Sequence, residues 1–246
     1  MNLLVLEPDE VGERLPRSDR RVEHVRKILR KKAGDTLAAG IAGGPVSPAP
    51  LGTATLEELD EKGARFSFAP EREAPPLRPL VLLLGLPRPI QAKRILKDLA
   101  SLGLSRIILS GTELGEKSYA DSDLYLKGEF RRPLLEGAEQ AGSPRLPAVS
   151  TSPSLKAALR ELSGFAGARI ALDPYRSAGP LGAWLPGDGD DSALLAIGSE
   201  RGWTARELDE LEGARFECRD LGDRILKTET AAVAAVSIAL SRLGLL

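Results

Sequence analysis

The chain is poor in the residues that usually give away a protein's chemistry. It has one cysteine and one histidine among its 246 residues. The lone thiol, Cys218, has no internal partner for a disulfide, and one thiol with one imidazole is too few ligands for a zinc site, so no metal is expected. No apolar run approaches the ~20 residues that a membrane-spanning helix needs, so no membrane partner is expected either. The start, Met1-Asn2-Leu3-Leu4-Val5-Leu6-Glu7, lacks the basic opening and long apolar stretch of an export signal. Together with the scarcity of cysteine, this makes a reducing cytoplasm the expected location. The net charge is −1, without the basic excess that often marks nucleic-acid binders, so any RNA site must be local. A G-x-G-x-x-G run and a Walker lysine are both missing, which disfavours dinucleotide and nucleoside triphosphate chemistry. No period of 20 to 50 residues repeats, which excludes a solenoid.

What is present is ordinary in bulk and uneven in detail. A hydrophobic share of 42% with 28% charged residues describes a globular chain, large enough for one big domain or two smaller ones. Positive charge gathers between Arg17 and Lys32, where Arg17, Arg20, Arg21, Arg26, Lys27, Arg30, Lys31 and Lys32 face only Asp19 and Glu23. The pattern predicts a strand over Leu3 to Leu6, a helix over Ser18 to Lys32 and short β runs around Thr36–Ile41, Leu51–Leu56 and Arg65–Ala69. On that helix Val22, Val25, Ile28 and Leu29 form an inward apolar stripe, and Arg26 and Arg30 share an outer face. Residues 71–79, rich in proline and charge, read as a linker between a first domain over 1–70 and a second over 80–246.

Beyond the linker, apolar strands alternate with amphipathic helices, the signature of an α/β domain with a mostly parallel sheet. Strands are expected at Leu80–Leu86, Arg106–Ser110, from Ala148, at Ala168–Asp173 and at Ala193–Gly198. Helices are expected at Ala92–Leu102, Asp123–Ala141, Leu155–Leu162, Thr204–Leu211 and Glu229–Leu243. Two segments stand out. Ile197-Gly198-Ser199-Glu200-Arg201-Gly202-Trp203 follows an apolar strand, and its glycines would let backbone approach a ligand where parallel sheets place their sites; a plain strand-to-helix turn explains them equally well. Leu221-Gly222-Asp223-Arg224-Ile225-Leu226-Lys227-Thr228-Glu229-Thr230-Ala231 leads into an alanine-rich helix that Thr228 would cap.

Taken in order, these two segments resemble the C-terminal signature of the RsmE family, a group of SPOUT-type RNA methyltransferases. The resemblance extends to Glu207, to His24-Val25-Arg26-Lys27-Ile28-Leu29-Arg30 followed by Gly34-Asp35, and to Glu139-Gln140 with Arg145-Leu146-Pro147. It implies an N-terminal PUA-like β-barrel for RNA, a C-terminal SPOUT α/β domain with a deep trefoil knot, and a homodimer. It implies S-adenosylmethionine as cofactor and methylation of N3 of a uridine in 16S ribosomal RNA of the small subunit. The cofactor loops would be Leu172-Asp173-Pro174, Ile197, Gly198, Ser199 and Gly202, and Leu221, Gly222, Ile225 and Leu226. Catalytic candidates are Glu200, Arg224 and Glu139. His24, Arg26, Lys27, Arg30, Lys93, Lys97 and Gln140 are the expected RNA contacts. The chain departs from the family pattern at Ser199 and Arg201, where proline and glycine are usual. It departs again at Asp98-Leu99-Ala100-Ser101-Leu102-Gly103, which lacks the family's lysine and glutamate, while Glu113-Leu114-Gly115 falls later. These departures keep open a different RNA nucleotide as target, or an RNA-binding homologue without catalysis.

Overall fold

A computed structural model describes residues 2–246. Two compact units emerge: one runs to Pro76 and takes in Leu134–Leu146, and the other comprises Leu77–Pro133 and Pro147–Leu246. The first holds a five-stranded sheet of β1 (Leu4–Leu6), β2 (Arg14–Pro16), β3 (Thr36–Ile41), β4 (Pro50–Leu59) and β5 (Gly63–Glu73), in the order β1-β3-β4-β5-β2. Only β1 with β3 is parallel. The short β2 carries no strong alternation, so the sequence pattern does not announce it. Of the expected linker over 71–79, Glu71–Glu73 end β5 and Arg78 and Pro79 begin the next strand, leaving 74–77 outside any strand, where the two units divide. Pro70 pairs opposite Gly52 beside a register shift, a bulge where a proline costs no ladder bond, and β5 continues through it to Glu73.

Helix α1 covers Arg20–Lys27, shorter at both ends than the pattern predicts. Asp19 caps it, accepting the Arg21 N–H at 2.8 Å. At the other end Arg30 adopts a left-handed backbone, φ +52, while the N–H groups of Leu29 and Lys31 return to the carbonyls of His24 and Val25. That is the geometry that closes a helix. Val22 and Val25 are buried against Leu4, Leu6, Leu56 and Phe66. Ile28 and Leu29 do not join the inward stripe and are exposed, because the helix stops before it can turn them in. For the same reason Arg26 and Arg30 share no helical face.

Charge is buried here only where it is paired. Arg21 reaches the carboxylates of Glu10 and Asp19 at 2.7 Å and the Val5 carbonyl at 2.8 Å. Burial pushes both carboxyls up, but the Arg21 hydrogen bonds outweigh it and hold them below their ordinary values. Arg145, also buried, donates to the carbonyls of Pro75 and Ser47 at 3.0 and 2.9 Å and to Glu73. Glu139 is only 2% exposed. Arg20 meets its Oε2 at 2.5 Å, yet Oε1 is buried with no partner among the described residues. Burial therefore raises its pKa despite Arg20.

The second unit contains β6 (Arg78–Gly85), α2 (Pro89–Leu102), β7 (Leu104–Ser110), α3 (Asp123–Leu126), the start of α4 (Arg131–Ala141), β8 (Ala148–Ser152), α5 (Leu155–Glu161), β9 (Ala168–Leu172), β10 (Ala193–Ile197), α6 (Ala205–Gly213), β11 (Glu217–Arg219) and α7 (Thr228–Arg242). Six strands run in the order β11-β9-β10-β6-β7-β8, every pairing parallel. Helices α5 and α6 cover one face, over Val81, Leu83 and Ile108, and α7 packs on β6, β10 and α2. A sheet covered on both faces needs strands apolar throughout, and β10, buried along its whole length, is such a strand. The helix expected over Asp123–Ala141 is broken, with Gly128 at φ +64 between α3 and α4. From Leu134 onward α4 belongs to the first unit. Lys227, not Thr228, stands at the N-cap position of α7, without a side-chain cap, and Thr228 is a buried first-turn residue.

The raised Glu139 pKa means that its ionised form destabilises the fold: stability is lost as pH rises from the ordinary glutamate value through the folded one. Glu139→Gln, which mimics the neutral acid, is expected to melt above the parent at pH 8. Melting curves should show that gap closing as the pH falls toward the ordinary glutamate range; a gap that widens there would contradict the assignment.

Candidate functional site

The carboxyl ends of β9, β10 and β11 each release a loop, and the three loops meet around one cavity of about 270 Å³. The first loop contributes Leu172, Asp173, Pro174 and Tyr175, and the second contributes Ile197 through Trp203. The third contributes Arg219 through Gly222 with Arg224, Ile225 and Leu226, and Thr228 and Ala231 of α7 complete the wall. This is where open parallel sheets place ligands, and the volume sits just below the ~300 Å³ at which small-molecule sites usually begin.

Each loop is shaped by its own side chains. In the first, Asp173 is buried and its Oδ1 accepts the N–H groups of Tyr175 and Arg176 at 2.9 and 2.8 Å, which turns the chain back on itself. In the third, Asp220 accepts the Gly222 N–H at 2.9 Å and the Ser177 hydroxyl at 2.5 Å. Those two donors, Ser177 first, hold its carboxyl below the usual range. The Asp-x-Gly spacing of Asp220 and Gly222 is a turn signature that sequence reading could have used.

The middle loop is fixed most tightly. A Cβ on Gly85, the last residue of β6, would lie 2.4 Å from the Ser199 nitrogen, so the loop crosses the end of β6 at a distance only glycine permits. Ser199, buried, donates its hydroxyl to the Gly202 carbonyl at 3.3 Å, while the Gly202 N–H returns to the Ser199 carbonyl at 2.9 Å. Gly202 lies at φ +76, closing a turn that side chains resist. The serine at this position thus completes the turn. Glu200 accepts the Arg88 N–H at 3.1 Å, capping α2 from the loop, and Arg201 is exposed.

The loop's exit is clamped. Thr204 and Glu207 form a reciprocal cap at the start of α6, with bonds of 3.1 and 3.0 Å. Glu207, 2% exposed, also takes the Glu113 N–H at 2.8 Å, and Glu113 in turn accepts the Thr204 hydroxyl at 2.6 Å and Arg206 at 2.5 Å. Glu113 and Gly85 are the residues that sequence reasoning missed, since both act through contacts with distant segments that no local pattern announces. Trp203 lines the cavity, and its indole N–H is buried with no partner among the described residues.

All ten expected cofactor residues, Leu172, Asp173, Ile197, Gly198, Ser199, Gly202, Leu221, Gly222, Ile225 and Leu226, line this cavity together with Glu200 and Arg224. Glu139 does not; it belongs to the first unit with Arg20. Gln140 lies beside it, its backbone carbonyl accepting from Asn2. His24 is half-buried on α1, its pKa lowered first by burial and then by neighbouring charge including Arg20, so it is neutral at physiological pH. Lys27 pairs with Glu23, Arg30 is exposed beyond the helix, and Lys93 and Lys97 are exposed on α2.

A family model described as an RNA methyltransferase domain matches residues 73–240, a span that takes in all three loops and the cavity they line. Ribosomal RNA small subunit methyltransferase E of Treponema pallidum is 38% identical, with 98% of this chain and 91% of the relative covered. Ribosomal RNA small subunit methyltransferase E 1 of Borreliella burgdorferi is 31% identical, with 99% of each covered. The chain belongs to the ribosomal RNA small subunit methyltransferase E, or RsmE, family. In fold it is similar to the Neisseria gonorrhoeae member solved with S-adenosyl methionine, with TM-score 0.71, 22% identity, and 98% of this chain and 97% of that chain covered.

Gly85→Ala is expected to displace the middle loop and to cost roughly 1–3 kcal/mol, the usual range for overpacking. Denaturant unfolding would give the loss, and Trp203 fluorescence in a Trp184→Phe background would report the displaced loop. An unchanged midpoint with unchanged emission would show that the close approach does not matter.

Proposed function

We propose that the chain is an S-adenosylmethionine-dependent methyltransferase that modifies N3 of a uridine in 16S ribosomal RNA. The observation that carries the reading is the convergence of three strand-end loops on one cavity in a chain of this family. The cavity suits the cofactor chemically. Leu172, Ile197, Leu221, Ile225 and Leu226 offer apolar walls for a purine and a thioether chain. Gly202 and Gly222 have positive φ, and a Cβ on either would enter open space, leaving backbone free to approach a ligand. When bound, S-adenosylmethionine supplies a methyl group on a sulfonium, which needs little covalent help from the protein.

The protein's own contribution is then alignment and the handling of one proton. Uracil N3 is protonated at neutral pH and lies on the Watson–Crick edge, so the base must be unpaired and the proton must leave. Arg224, exposed at the cavity wall, is suited to stabilise a uracil anion through its carbonyl oxygens. Glu200 keeps one carboxylate oxygen beyond the one that caps α2 and is the proton acceptor of this reading. Glu139 is withdrawn from that role by its place with Arg20. His24, Arg26, Lys27, Arg30, Lys93, Lys97 and Gln140 remain the RNA contacts proposed, the lysines at 93 and 97 on α2 and the others within a PUA-like first domain. A SPOUT domain with a trefoil knot, a homodimer and a cytoplasmic setting with the small ribosomal subunit as partner complete the proposal. The all-parallel sheet with β10 inserted between β9 and β6 supports the fold part of it.

Calorimetric titration with S-adenosylmethionine, followed by labelled-methyl transfer to small-subunit particles and mapping of the modified base, tests the reading. Saturable binding with transfer to uridine N3 is the expected result; transfer elsewhere would correct the target, and absent binding would overturn the enzyme. Glu113→Ala, which frees the exit of the middle loop, should weaken the cofactor about fivefold, near 1 kcal/mol. Equal affinity in that titration would remove Glu113 from the set of positioning residues.

A further inference from the structure

The end of α1 carries a feature that the cofactor cavity does not account for. The helix stops at Lys27, and the next two residues, Ile28 and Leu29, are 67% and 39% exposed. Scattered surface aliphatics are ordinary and need no explanation. These two are adjacent and stand at a tip, with Arg26 and Lys27 on one side in sequence and Arg30, Lys31 and Lys32 on the other. The core has no use for them, since Val22 and Val25 already fill the space beneath the helix.

The tip is also built rather than loose. Ile28 and Leu29 both donate their N–H groups to the His24 carbonyl, at 2.9 and 3.0 Å, and Lys31 donates to Val25 at 3.1 Å. The Lys32 N–H is held by the Asp35 carboxylate at 2.9 Å. Arg30 occupies a left-handed backbone, φ +52, a conformation that residues with side chains disfavour and that marks a position the surroundings insist on. A hydrogen-bonded tip loses little entropy when it meets a partner.

We propose that Ile28 and Leu29 form an apolar wedge that enters RNA between stacked bases, with the flanking cations seated on the phosphates. The inference rests on the RNA reading above and deepens it. Charge selects the occupant: Arg26, Arg30, Lys31 and Lys32, beside a Lys27 that pairs with Glu23, complement a polyanion. Chemistry gives the wedge a purpose, because methylation of N3 requires a Watson–Crick edge freed from its pair. Isoleucine and leucine are among the side chains that nucleic-acid-binding proteins insert between base steps, and the cost of unstacking is offset by the added contacts.

The test is the double variant Ile28→Ser, Leu29→Ser in the full chain, with its melting midpoint checked against the parent. The probes are a hairpin RNA with a stem uridine beside 2-aminopurine, and a linear RNA carrying the same target strand that cannot pair. The parent should raise 2-aminopurine emission on binding the hairpin, and the variant should lose that rise while keeping the salt slope of binding, since no charge has changed. Methyl transfer to the hairpin should fall about tenfold, equivalent to about 1.4 kcal/mol, with transfer to the linear RNA changed less than about twofold. A rise that persists in the variant, no rise with the parent, or equal loss on both RNAs would overturn the wedge. So would sedimentation showing that the variant loses a self-association the parent has, because the tip would then face a second copy. If the parent methylates neither RNA, transfer to small-subunit particles decides the enzymatic reading, and the emission still decides the wedge.

Discussion

The side-by-side parallel pairing of β6 and β10 is the constraint on which the candidate site depends. The two strands are remote in sequence, yet Ile197 lies opposite Leu84, so the loop leaving β10 must pass over the residue that ends β6. That residue is Gly85, and the absence of a side chain there sets how closely the loop can sit. With β9 on the other side of β10 and β11 beyond it, three loops emerge on one edge of the sheet and a cavity forms between them. Burial of both sheet faces keeps the strands in register, because a slip would turn apolar side chains out of the packed layers.

Around that edge the polar groups serve mainly to hold backbone. Asp173, Asp220 and Glu207 each commit carboxylate oxygens to nearby N–H or hydroxyl donors. Such bonds to charged acceptors are stronger than neutral ones, and they fix turns that would otherwise be mobile. The groups left facing the cavity are therefore backbone, aliphatic side chains, Tyr175 and the charged Glu200, Arg201, Arg219 and Arg224. A surface of that kind positions a bound molecule and does little covalent chemistry, in keeping with a reaction whose reactive group arrives with the cofactor.

The first unit handles charge differently. Its buried cations, Arg21 and Arg145, are saturated by carboxylates and carbonyls, whereas Lys27, Arg30 and Lys32 at the end of α1 are exposed. A chain with net charge −1 can still present a basic surface when its acids are occupied internally, as Glu10 and Asp19 are by Arg21. Local separation of charge, not total charge, governs attraction to a polyanion at the scale of a Debye length, about 8 Å under physiological salt.

The apolar runs of β6 and β10, the glycine-bearing segment from Ile197 to Trp203 and the polar run before α7 are local patterns, and local patterns follow from strand burial, turn stereochemistry and helix capping. They are enough to place the parallel α/β unit and the residues of the cavity. Contacts that join distant segments carry no such signal. The Gly85 crossing, the Glu113 clamp and the pairing of Glu139 with Arg20 depend on which segment lies beside which. Ile28 and Leu29 read as core because a helical period continues on paper past the point where Arg30 ends the helix. The order of residues along the chain therefore settles the elements and the chemistry available at the carboxyl ends of the strands. Which side chains hold the loops, and which are left to meet a ligand, is settled by packing, because burial and partnership exist only once remote segments are in contact.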